Sequence, residues 1–173
     1  MYIYFVAVSI VFSSAFGAVL ITPYEALAQN FGKESSITKK SILLSKEQAL
    51  KVSQKAQSKL STKLYRAFVV TEKEKILGHA VLLNETVRTK NAAVLYLFDS
   101  SGRIKTVEIV AFNEPPEYIP SDVWMEQFCE KTISDTLRVG KDIPTITGAT
   151  MSARNIADGS RVALALYEII LKP

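Results

Sequence analysis

The sequence predicts an α+β domain in which an antiparallel β meander is flanked by helices. Four β-rich runs, Leu64–Thr71, Ile76–Val87, Ala92–Phe98 and Ile104–Phe112, follow one another with only short polar connections. Such connections are too short for the crossover a parallel pair requires, so neighbouring runs pair antiparallel. A capped amphipathic helix precedes the runs and a longer helix follows them. At 173 residues, 48% of them hydrophobic, the chain can bury one core.

Residues 1–28 carry a single charge, Glu25, and Ile3 to Thr22 carry none, so this stretch is set aside as a targeting or anchoring segment. An uncharged run of this length also suits the roughly 30 Å core of a bilayer. Pro23 is expected to end a helix, and Ala26-Leu27-Ala28 before Gln29 has the small-x-small form that a signal peptidase accepts. Lys33, Lys39 and Lys40 just beyond the run fit poorly with an uncleaved anchor that exports its C-terminus. The missing basic segment at the extreme N-terminus argues the other way. The expectation is a signal peptide over 1–28, with a membrane anchor through residues 3–22 as the alternative. Either places the domain in the periplasm or at the extracytoplasmic face of the inner membrane.

Residues 29–44 read as a polar lead-in and 45–173 as the domain itself. Ser45 with Gln48 suits a capping box, and Ala49, Val52, Ala56 and Leu60 share one face of the helix it starts. The meander follows, its best hairpin being the reversal at Ser101-Gly102. Three prolines between Asn113 and Pro120 make that stretch a loop. Ser121 then caps a short helix with Trp124 and Phe128 stacked one turn apart, ending near Lys131. The final helix is expected from about Ser152 to Leu171, with Ile156, Ala163, Tyr167 and Ile170 inward and Asp158, Arg161 and Glu168 largely outward.

Composition excludes several function classes. The net charge of +4 is mild, and its lysines and arginines, Arg88 and Lys90 among them, are scattered with acids between several of them. That is a solvated surface, not a stripe for nucleic acid. One cysteine, Cys129, and one histidine, His79, leave no internal disulfide, metal cluster or haem-attachment motif. Cys129 reads as a small buried apolar group and His79 as a strand residue. No acid/base or nucleophilic constellation stands out, so no catalytic residue is assigned.

The chemistry concentrates in Pro144–Ser152, where Gly148 and Ala149 lead into the last helix. Small residues there let backbone amides approach a ligand, and a helix N-terminus offers unpaired N–H groups and partial positive charge. A phosphate attached to Thr150 would meet donors already aimed at it, with hydroxyls of Thr147 and Ser152 beside it. A threonine at this place is also a common helix cap.

Thr147-Gly148-Ala149-Thr150-Met151-Ser152, followed by Arg154 and Asp158-Gly159, resembles the attachment motif of the FMN-binding family. That family includes the flavin-carrying small subunits of the sodium-pumping NADH:quinone oxidoreductase and of the Rnf complex. The likeness is strongest over Ile143–Glu168 and extends weakly through the meander and Glu114–Phe128. It implies that a flavin transferase esterifies Thr150 with FMN taken from FAD, and that the domain passes electrons between redox partners such as a quinone-linked membrane complex or a cytochrome. Pro144 stands where the family usually has an aspartate, and Asp142 lies two residues earlier. Glu114–Pro116 resembles the family's loop near the flavin ring, and Trp124 is either a ring contact or a core anchor. Two other readings are a non-redox exported binding module with Thr150 only capping a helix, and a flavin-dependent reductase acting directly on a soluble substrate.

Overall fold

The computed structural model describes residues 18–172. Six strands form one antiparallel sheet: β1 (Ala18–Val19), β2 (Ser36–Leu43), β3 (Leu64–Glu72), β4 (Lys75–Thr86), β5 (Asn91–Asp99) and β6 (Ile104–Phe112), in the order β1-β6-β5-β4-β3-β2. The four expected runs become β3 to β6, each pairing with its chain neighbour as a meander must. The last hairpin closes with the Gly102 amide on the Asp99 carbonyl at 3.1 Å.

Both faces of the sheet are covered, and β5 records this as five consecutive buried residues, Val94 to Phe98. Side chains alternate along a strand, so Val94, Tyr96 and Phe98 enter one core while Leu95 and Leu97 enter the other. The first core is closed by α2 (Lys46–Ala56) and α4 (Thr150–Leu166), which continues as a wider turn through Tyr167–Leu171. The second core is closed by α1 (Pro23–Phe31), whose Ala26 and Leu27 are fully buried against Phe68, Val70, Leu82 and Leu95. The capping box expected at Ser45 is present, with the Gln48 amide on Ser45 Oγ at 3.1 Å and the Ser45 amide on Gln48 Oε1 at 2.9 Å. The short α3 (Asp122–Met125) follows Ser121, and the loop before it tightens into a turn at Pro116–Tyr118.

Three expectations are corrected. Pro23 begins α1 instead of ending a helix: at the first helical position its missing N–H is one that no intrahelical partner would accept. A second capping box, Thr22 with Glu25, reinforces that start. Residues 29–44 are not a lead-in outside the domain, for they contain the end of α1 and all of β2, which pairs with β3 from Ser36↔Thr71 to Leu43↔Leu64. β2 is an edge strand whose Lys39 and Lys40 face solvent; an edge has one paired side and tolerates polar composition. Arg161 points inward, not outward. Its guanidinium donates to the carbonyls of Ala56 at 2.9 Å and Leu137 at 2.6 Å and to Asp158 Oδ1 at 2.8 Å. Ala56 is the last residue of α2, whose carbonyl lacks a helical donor, so the buried cation satisfies a buried acceptor.

Among the described residues no helix is long and apolar enough to cross a membrane. Most of the proposed anchor, residues 3–17, lies outside the described residues.

Candidate functional site

The loop before α4 turns at Gly148, whose φ of 84° lies in the left-handed region that a side chain disfavours. Ala149 is the N-cap and makes no side-chain capping bond. Thr150 is therefore the first residue of the helix and not its cap. Its hydroxyl donates to the Ile146 carbonyl at 3.0 Å. Amides of the first helical turn have no partner within the helix, so this end offers N–H donors to whatever lies before it.

A cleft of about 440 Å³ opens there, lined by Arg88, Tyr118, Gly148, Ala149, Thr150, Met151 and Ser152. Ser152 is 1% exposed and its hydroxyl has no hydrogen-bond partner. A buried hydroxyl without a partner is costly and rare. Of the sequence-expected residues, Gly148, Ala149, Thr150 and Ser152 meet in this cleft; Thr147 is exposed on the loop outside the lining.

Glu114 does not line the cleft but supports it. Its buried Oε1 accepts the backbone amides of Thr89 at 2.6 Å, Lys90 at 2.8 Å and Arg88 at 3.1 Å, the tight turn between β4 and β5. Those amides, Thr89 and Lys90 foremost, hold its carboxyl below the usual glutamate range, so it is ionised at neutral pH. The turn it organises carries Arg88, whose guanidinium lies over the Tyr118 ring, 4.6 Å from the centroid. In sequence Arg88 is one basic residue among many; no local signal separates it from the solvated lysines around it.

Trp124 is also outside the lining. Its indole packs edge-on against Phe128 with centroids 5.3 Å apart, and its N–H donates to the Pro144 carbonyl at 3.0 Å. It thus braces the loop that delivers Thr150. Asp142 is engaged elsewhere, accepting the amides of Leu137 and Arg138, each at 2.7 Å. Burial raises its carboxyl, but these amides outweigh that and leave it below the usual range. Asp142 is held in that turn and is not among the residues lining the Thr150 cleft. Cys129 is half-buried, with its thiol on the Lys105 carbonyl at 3.3 Å and pushed up by burial.

The residues present fit a phosphate-bearing group: small residues at the approach, a helix N-terminus, an orphaned hydroxyl and one arginine. A family model described as an FMN-binding domain matches residues 60–165, from just before β3 to near the end of α4. No curated protein and no solved structure matches the chain. Because the match spans more than half of the 173 residues and contains both the meander and the Thr150 cleft, the chain belongs to the FMN-binding domain family.

Proposed function

We propose that this protein carries FMN covalently through a phosphoester on Thr150 and serves as an electron-transfer module outside the cytoplasm. The observation that carries the reading is the Thr150 hydroxyl at the first turn of α4, in a cleft shared with the buried, unpartnered Ser152 hydroxyl. In the attachment step a flavin transferase supplies FAD. The Thr150 oxygen would bond to the flavin-side phosphorus as the pyrophosphate P–O bond breaks, AMP would leave with the bridging oxygen, and the hydroxyl proton would pass to a base of the transferase. The Ile146 carbonyl holds the hydroxyl proton beforehand, which leaves the oxygen's lone pairs available to phosphorus. Gly148 and Ala149 keep the approach open, and the first-turn amides and Ser152 receive the phosphate oxygens. Bound FMN supplies one- and two-electron redox chemistry, and the protein contributes orientation and electrostatics.

The proposed partners are that transferase and redox proteins such as a quinone-linked membrane complex or a cytochrome. Export is supported by the uncharged run from Ile3 to Thr22. The packing of α1 counts against cleavage after Ala28, which would detach Ala26 and Leu27 from the core they fill, and the pairing of Ala18–Val19 with β6 counts equally against a spanning segment that reaches Thr22.

The test is intact and peptide mass spectrometry on protein exported from a host that contains the transferase. One FMN ester on the peptide bearing Thr150, absent in Thr150→Ala, is the expected result. An unmodified Thr150 beside a modified control substrate overturns the covalent reading.

A further inference from the structure

We propose that Arg88 is the residue that grips the flavin phosphate on Thr150, and that Glu114 exists to aim it. The inference rests on the phosphoester reading above. Arg88 is the one charged side chain lining the Thr150 cleft. Among the described residues its guanidinium makes no hydrogen bond or ion pair; its contact is with the face of Tyr118. A guanidinium stacked on an aromatic ring keeps its N–H donors free at the edges of the plane, where they match the fork of two phosphate oxygens. A phosphodiester on Thr150 keeps one negative charge, and the mild positive potential of a helix N-terminus leaves room for a full cation beside it.

The turn that carries Arg88 has no glycine and no proline, yet it is held by an unusual device: the single Oε1 of Glu114 takes three consecutive backbone amides, those of Arg88, Thr89 and Lys90. These bonds use backbone only and leave the Arg88 side chain uncommitted. The Asn155 amide from α4 reaches the Thr86 carbonyl at 3.4 Å, which ties the same turn to the helix that begins at Thr150. Two elements that must meet at one phosphate are thereby linked directly. Glu114 is a positioning residue and Arg88 a cofactor-binding one.

The test uses full-length protein loaded by transferase and FAD, comparing wild type with Arg88→Gln, Arg88→Lys, Glu114→Gln and the neighbouring control Lys90→Gln. Two quantities are read: the rate at which the FMN mass increment appears, and the ³¹P resonance of the esterified phosphate. Loss of a charge-assisted pair at the phosphate is expected to slow loading about tenfold in Arg88→Gln and to move the ³¹P line. Arg88→Lys is expected to fall between, Lys90→Gln to match wild type, and Glu114→Gln, with Arg88 intact, to move the ³¹P line in the same sense as Arg88→Gln; a Glu114→Gln line at the wild-type position removes the positioning role. If Arg88→Gln loads too little to give a ³¹P line, the Arg88→Lys line decides: a line displaced from wild type supports the proposal and an identical one overturns it. A ³¹P line in Arg88→Gln identical to wild type overturns it whatever the loading rate, since slower loading alone assigns Arg88 to docking of the transferase. Failure of wild type itself to load beside a working control substrate is the separate failure of the Thr150 reading, and removes both.

Discussion

The indole N–H of Trp124 donates to the backbone carbonyl of Pro144 at 3.0 Å, which binds the short helix after the proline loop to the segment that leads into Thr150. Trp124→Phe keeps an aromatic ring against Phe128 and removes the donor. We expect a loss of about 1 kcal/mol in stability and faster amide hydrogen exchange over residues 145–149. Unchanged exchange there would assign the bond no part in holding the loop.

Gly159 faces the hydroxyl of Tyr96, which donates to the Ile156 carbonyl at 3.2 Å; a Cβ at this position would fall on that hydroxyl. Alanine is normally the better helix former by about 1 kcal/mol. Here overpacking is the larger effect, and Gly159→Ala is expected to destabilise by about 1–3 kcal/mol. Adding Tyr96→Phe removes the obstructing oxygen and is expected to recover part of the loss in a double-mutant cycle of urea denaturation. Simple additivity would refute the steric cause.

His79 is 3% exposed, its Nδ1 lacks a partner, and its ring packs edge-on against Tyr167 with centroids 5.3 Å apart. Burial, and after it the charge of Lys40, lowers its pKa from the usual value of 6.5. The unfolded chain therefore gains a proton at a higher pH than the folded chain does. Stability is unaffected by this group above about pH 6.5 and falls as pH drops from there toward the folded-state value. His79→Phe is expected to flatten the denaturation midpoint between about pH 7 and 5; a parallel pH profile in the variant would contradict this.

Leu27 is completely buried under the sheet, and Asn30 on the same helix reaches Glu108 Oε1 on β6 at 3.3 Å. Leu27→Ala is expected to cost about 2–5 kcal/mol, as removal of a buried leucine side chain does elsewhere. A change within about 0.5 kcal/mol, the range of ordinary surface substitutions, would mean that α1 does not contribute to the folded domain in solution.

The strands of the meander were legible because each is a dense β-forming run bounded by polar turns, and a meander needs only neighbours in the chain to pair. The Ser45 and Ser121 helix starts were legible for a similar reason, since a cap and its partner lie within three residues. α1 was hidden because an apolar segment that covers one face of a sheet and one that crosses a bilayer have nearly the same composition. β2 was hidden because an edge strand between two cores needs few apolar residues, here Ile37 on one face and Ile42 on the other.

The sequence by itself determined the α+β class, the meander, and the small-residue loop that brings Thr150 to a helix N-terminus, all of which depend on contacts a few residues apart. Only the tertiary structure decided that Arg161 is buried, that Glu114 supports a turn, and that Arg88 shares a cleft with Thr150. Their partners are 105, 25 and 62 positions away in the chain, taken from Ala56, Thr89 and Thr150. A charged side chain takes its role from the carbonyl, amide or phosphate it meets, and that meeting is set by the packing of the sheet and α4 and not by the neighbours of the charge in sequence.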